Sequence, residues 1–305
     1  MFKLNDKKIK TEIQTQSGLL NSIKEKKLPN TREMAKKTLM TFFDNFHIDR
    51  KNQRELAIYI KENTSNLLKD LIVLETKIYK EIENSIYREF LSYYINNLHK
   101  RPENDYKELE GLMIFLEEKY KNISFEDIGE IVSELYPVFR HVVFSAYQSR
   151  KTRVGKTLEH YINFILDATN IPFQEQVDIT DSIVDFALPS EKVFDSHKED
   201  GVFIAAQTTL KDRFRLSLGK LPSEFSKTKK YIMTAAGINI ITDTDHRDVT
   251  KSKIYSIDNQ NFELVVFKEL KEEKFTDEDI VISYETFIND RIQEHKKIWE
   301  RKKLI

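Results

Sequence analysis

Apolar residues in the first half of the chain recur at intervals of three and four. Leu68, Leu71, Ile72, Leu74, Ile78, Ile82, Ile86 and Phe90 form one such series, which predicts an amphipathic helix over residues 66–98. Its length exceeds that of an ordinary globular helix and suggests an arm or a dimer contact. Pro102 interrupts the pattern, and Leu109, Leu112, Phe115 and Leu116 resume it. Ser124 followed by Asp127 marks another start, because a serine oxygen accepts from exposed first-turn amides and an acid suits the positive end of the helix dipole. From Tyr136 to Tyr147 the helical spacing continues toward a basic loop, which Gly155 releases into a helix with Leu158, Tyr161, Ile162 and Ile165 on its apolar side.

After Asn170-Ile171-Pro172 the period changes to that of strands. Residues 173–179, 183–188 and 202–210 read as three consecutive strands, and 229–235, 237–242 and 262–267 as further ones. A short helix is expected from Asp212 to Leu221. A terminal helix is expected from Ser283 to Lys303, with Tyr284, Phe287, Ile288, Ile292 and Trp299 turned inward. The fold class is therefore α/β: a mixed-sheet core preceded by a mostly helical N-terminal region, divided near residue 145 into 1–145 and 146–305.

Composition narrows the setting. The 305 residues include no cysteine, so no disulfide framework or thiolate metal site is available, which suits a reducing cytoplasm. No apolar run approaches the length that spans a bilayer, and no membrane partner is expected. The net charge of −1 does not announce a nucleic-acid partner, and its distribution leaves two readings, patches that neutralise phosphates or ordinary solvated surface charge. Arg150, Lys151, Arg153 and Lys156 form a patch without an acid, and between 211 and 230 seven lysines and arginines face only Asp212 and Glu224.

One acid stands out. Asp185 is alone in the apolar run Ile183-Val184-Asp185-Phe186-Ala187, and a carboxylate there needs a cation or hydrogen-bond donors to offset its desolvation. Pairing this strand with 202–210 brings Asp185 near Gln207 and the basic string after it, an arrangement suited to Mg²⁺ and phosphate. A buried aspartate capping a turn is the other reading of the same residue.

Three blocks carry a family resemblance: Ser149-Arg150-Lys151-Thr152-Arg153-Val154-Gly155-Lys156-Thr157-Leu158-Glu159, Val184-Asp185-Phe186-Ala187-Leu188-Pro189-Ser190, and Gln207-Thr208-Thr209-Leu210-Lys211-Asp212-Arg213-Phe214-Arg215. Together they resemble the PD-(D/E)XK nucleases, within them the restriction endonucleases of the EcoRII catalytic-domain and PspGI group, and the likeness covers roughly residues 145–305. The resemblance implies a restriction-endonuclease-like core and Mg²⁺-dependent hydrolysis of double-stranded DNA at a palindromic CC(N)GG- or CCWGG-type site. It implies Asp185 and Glu159 as metal ligands. It also implies a homodimer and a cognate DNA methyltransferase in the same system, not stably bound. The family pattern places a lysine at 207 and an acid at 220, whereas this chain has Gln207 and Lys220, so the amine is read as migrated to Lys220 with Gln207 orienting water or phosphate. Lys211, Asp212 and Arg213 sit where the group reads its outer base pairs. Lysine and arginine can donate to guanine and aspartate can accept from cytosine.

Overall fold

The computed structural model describes residues 5–14, 19–97, 107–122, 124–179, 182–208, 210, 221–236, 249–258 and 262–305. Contacts divide the chain into two compact units, one holding 1–30 and 77–153, the other 31–76 and 154–305.

The first unit is helical. It contains α1 (Asp6–Gln14), α2 (Leu19–Lys27), the second part of α4 (Gln53–Asn97), α5 (Lys107–Lys119) and the first part of α6 (Phe125–Ala168). Ile9, Ile13, Leu20, Ile23, Ile86, Phe90, Leu112, Leu135, Val138 and Val142 are buried there. Polar contacts flank them: His141 Nε2 lies 2.9 Å from the Asp6 carboxylate, and Lys24 Nζ donates to Ser145 Oγ at 3.1 Å. The start of α6 follows the capping expectation. Ser124 N–H and Oγ both donate to Asp127 Oδ2 at 2.7 Å, and Asp127 N–H returns a bond to Ser124 Oγ.

Where a basic loop was expected, residues 149–157 continue α6 without a break. One interior glycine disfavours a helix by only about 1 kcal/mol relative to alanine. Gly155 is not followed by a proline or a left-handed residue, so the helical register of Leu158, Tyr161 and Ile162 carries through it.

The second unit is built on a six-stranded sheet in the order β1-β2-β3-β4-β5-β6: Gln174–Ile179, Ser182–Leu188, Val202–Gln207, Lys229–Thr234, Phe262–Val266 and Val281–Ser283. The first three strands run antiparallel and the last four parallel. The β3 sequence is apolar from Val202 to Ala206, as suits a strand with both faces covered. Val202, Ile204 and Ala206 join a layer with Leu158, Tyr161, Ile162 and Ile165 of α6, Phe42 and Phe43 of α3 (Thr31–Asn45), and Ile60, Leu67 and Leu68 of α4. Phe203 and Ala205 join the opposite layer with Phe194, Phe225, Ile254 and Leu264.

The terminal segment closes the first of these layers. Tyr284, Phe287, Ile288, Ile292 and Trp299 are all buried, as the sequence predicts, with a π-helical turn at Phe287–Arg291 leading into α7 (Ile292–Arg301). Trp299 is fully buried and its indole N–H donates to the Asp200 carbonyl at 2.7 Å. Trp299→Phe removes that donor and part of the packing, so urea unfolding is expected to show a loss of roughly 1 to 2 kcal/mol.

Candidate active site

The site lies where β2 and β3 part. Their pairing runs from Leu188–Val202 to Phe186–Ile204 and goes no further, although both strands continue: β2 alongside β1 to Ser182, β3 alongside β4 to Gln207. Asp185 is the first β2 residue beyond the last pair. In the fork the Ala206 N–H points where a neighbouring strand's carbonyl would otherwise accept it, and Asp185 Oδ2 takes it at 2.8 Å. One carboxylate oxygen therefore does the satisfying work of a strand partner, and the other, Oδ1, faces Gln176.

Gln176 is the residue that sequence reasoning missed. The β1–β2 register passes from Glu175–Phe186 to Val177–Val184, skipping Gln176 and Asp185, and Gln176 adopts φ 50°, a region that a residue with a Cβ seldom occupies. The kink aims its side-chain amide at the fork. Nε2 donates to Glu159 Oε2 at 2.9 Å and approaches Asp185 Oδ1 at 3.4 Å. No glycine or asparagine marks the turn, so the only sequence signal was an amide in an exposed strand position.

Glu159 reaches the same place from α6. Besides Gln176, its Oε2 accepts from Lys156 Nζ at 2.6 Å, one helical turn earlier. Burial pushes both carboxyls above the usual carboxylate range. For Glu159 the Lys156 ammonium counters that push and the Asp185 charge adds to it. For Asp185 the Ala206 amide and the Lys156 charge oppose the burial. Two partly desolvated carboxylates thus converge beside one ammonium, which is the electrostatic condition that a bound cation relieves.

The donor set fits a hard divalent cation. Asp185 and Glu159 both present carboxylate oxygens, and Mg²⁺ is commonly held by one or two carboxylates together with water and substrate phosphate. Among the described residues no group of three or more His, Cys, Asp or Glu side chains assembles. Asp185 and Glu159 are the residues that could hold it, with water and substrate phosphate completing the shell.

The other expected residues fall elsewhere or outside the description. Gln207 ends β3 opposite Thr234, and its carbonyl accepts the Ala235 N–H at 3.1 Å; among the described residues, Gln176 and Lys156 rather than Gln207 join the two carboxylates. Lys211, Asp212, Arg213 and Lys220 lie outside the described residues, as do the expected short helix after 211, the expected strand at 237–242 and the side chain of Lys151. Within the first unit, Arg150 lies 3.5 Å from Glu83 and its guanidinium stands 5.4 Å from the Tyr147 ring centroid, while Arg153 donates to the Pro29 carbonyl. Lys156, in the second unit, stands beside the carboxylates.

Residues 115–288 match the family model described as EcoRII C terminal. The chain is 24% identical over 200 residues to the type II restriction enzyme SsoII of Shigella sonnei, a match spanning 59% of this chain and 59% of that enzyme. In three dimensions it superposes on metal-depleted Ecl18kI bound to uncleaved, modified DNA with a TM-score of 0.71 at 20% identity, covering 97% of this chain and 86% of that one. A PspGI–substrate DNA complex gives 0.57 at 15% identity, covering 88% and 94%. The structural likenesses establish a shared mixed-sheet nuclease fold.

Proposed function

The chain belongs to the EcoRII C-terminal family, and from that premise we propose that it is a type II restriction endonuclease hydrolysing double-stranded DNA at a short palindrome of the CC(N)GG or CCWGG type, with Mg²⁺ as cofactor. The observation that carries the reading is the convergence of Asp185 and Glu159 at the β2–β3 fork, next to Lys156. SsoII is named a type II restriction enzyme, and Ecl18kI and PspGI have both been solved with DNA, which supports a DNA substrate.

In this proposal Asp185 and Glu159 hold the cation. It would supply Lewis-acid polarisation of the scissile phosphate and a water made acidic enough to attack at neutral pH. The chain's own contribution is orientation. Ala206 N–H and the Gln176 amide fix the two carboxylates, and Lys156 both holds Glu159 and brings positive charge to the place where the phosphate's charge grows. Gln207, one residue past the Ala206 amide, is assigned to orienting water or a phosphate oxygen.

Lys211, Asp212 and Arg213 are assigned to the outer G·C pairs, and Arg150, Lys151 and Arg153 to the DNA backbone. We place the nuclease chemistry in residues 146–305, with 1–145 serving DNA contact or dimerisation; Thr31–Thr76 packs into the same core as the sheet. A palindrome calls for two copies, one active site per strand. A methyltransferase protecting the same site is the expected companion activity, and the cytoplasm the expected location; no described helix is long and apolar enough to cross a membrane.

Two lysines compete for the role of the amine that the family places at 207. If Lys156 fills it, Lys156→Ala is expected to slow single-turnover cleavage by about 10²-fold and Lys220→Ala to leave it near wild type. The reverse pattern assigns the amine to Lys220. Digestion of a plasmid of known sequence with Mg²⁺, followed by sequencing of the fragment ends, tests the whole proposal. Ends confined to CC…GG palindromes are expected. Cleavage without a defined site would instead indicate a structure-specific nuclease, and retained binding without product at any Mg²⁺ concentration a DNA-binding protein.

A further inference from the structure

We propose that the Gln176 side-chain amide and the divalent cation are alternative occupants of the same carboxylate oxygens, so that the ion must displace Gln176 in order to bind. The inference rests on the reading of Asp185 and Glu159 as the cation's ligands and concerns how that site is regulated.

A primary amide carries two hydrogens on one nitrogen. In Gln176 both serve the acids: Nε2 donates to Glu159 Oε2 at 2.9 Å and, over a longer 3.4 Å, to Asp185 Oδ1. One nitrogen therefore stands between an oxygen from α6 and an oxygen from β2, joining two carboxylates that would otherwise repel each other. That is the position and the role of a divalent ion. The other Asp185 oxygen is engaged by the Ala206 N–H at 2.8 Å, which leaves Oδ1 to Gln176. N–H hydrogens carry partial positive charge, so they cannot share those oxygens with a cation.

The backbone places the amide there against resistance. Gln176 stands across from Asp185, between the Glu175–Phe186 and Val177–Val184 pairs, and adopts φ 50°. A residue with a Cβ resists that conformation, and such strain gathers at functional sites. The kink forgoes regular pairing at the register position that faces Asp185. A simple tie between two strands would need neither the strain nor the reach to Glu159 on α6.

An ion held by two carboxylates and water must offset the lost amide bonds by itself, whereas a substrate phosphate adds a further ligand. The exchange thereby sets a threshold against loading the cation before DNA arrives.

Gln176→Met keeps the Cβ and the length of the side chain and removes both donors. Mn²⁺ alone, titrated into the full chain and followed by the paramagnetic resonance of the free ion, is expected to bind this variant at least about 10-fold more tightly than the wild type, the worth of one hydrogen bond to a carboxylate. In urea the metal-free variant is expected to unfold earlier than the wild type, and saturating Mn²⁺ to narrow or reverse that gap. Should methionine disturb folding, the wild type isotope-labelled at its glutamine nitrogens decides. Saturating Mg²⁺ is expected to shift the side-chain amide pair that Gln176→Ala lacks toward the position of a solvated amide, and an unmoved pair would overturn the proposal. Asp185→Asn separates the two readings. If it abolishes Mn²⁺ binding while Gln176→Met binds no more tightly than the wild type, the amide is a permanent partner of the carboxylates and the proposal falls alone. If Mn²⁺ binding survives Asp185→Asn, the carboxylates are not the ion's seat and both readings fall.

Discussion

Asp185→Asn is expected to lose at least about 10³-fold of the single-turnover cleavage rate in Mg²⁺ while retaining wild-type DNA affinity in a mobility-shift assay without metal. Asparagine keeps the volume of the side chain and an oxygen able to accept the Ala206 N–H, so the β2–β3 fork stays satisfied, while the charge and the second acceptor oxygen, which faces the Gln176 amide, are lost. In the wild type that charge is partly desolvated and shares the Gln176 amide with Glu159. A neutral amide there still fills the fork yet no longer offers a carboxylate to a divalent cation. Wild-type turnover in this variant would remove Asp185 from the chemistry and leave it as the strand-capping residue that its Ala206 bond also describes.

The second large effect concerns stability. Glu75 on α4 is buried at 2% exposure and accepts from Tyr161 Oη at 2.8 Å, while its Oε1 has no partner among the described residues. Burial raises its pKa from 4.5 to about 7, against the lowering effect of the Tyr161 and Thr157 bonds. The folded protein therefore holds a proton over a pH range in which the unfolded chain has released it. The stability conferred by the neutral form is complete below about pH 4.5 and is lost progressively as pH rises to about 7. Between pH 5 and pH 8 the wild type is expected to lose roughly 2 to 3 kcal/mol from this group alone. Glu75→Gln removes that loss, so the variant's advantage over the wild type should grow with pH by that amount in paired urea titrations. A constant difference across the range would show that Glu75 is ionised in the folded state throughout.

Much of this fold is legible in the chain because burial leaves a pattern. The β3 run Val202-Phe203-Ile204-Ala205-Ala206 reads as a strand covered on both faces, and Asp185 is conspicuous as an acid among apolar neighbours. Trp299 and Ile292 could be assigned inward from helical spacing. The fork was not legible, since it depends on where two strands stop pairing, and that is a property of register between segments rather than of either segment. Gln176 was invisible for a related reason: its positive φ is imposed by the strands around it, with no glycine to advertise it. The stretch from Ser149 to Gly155 looked like a loop because charge and a glycine coincide there, yet tertiary packing of the residues on both sides outweighs one glycine's modest helix penalty. Nor does any local signal announce that Phe42, Phe43 and Leu68 pack with strands more than a hundred residues later.

That last contact bears on how the molecule is made. Thr31–Thr76 is translated well before the sheet layer that covers Phe42, Phe43, Ile60 and Leu68, which follows residue 170, and Ile292 and Trp299 come later still. The nascent polypeptide must therefore carry uncovered aromatic and aliphatic side chains until those later residues are made, a period in which holdase chaperones have something to bind. Premature stop codons before Ile292 should accordingly yield insoluble or rapidly degraded fragments.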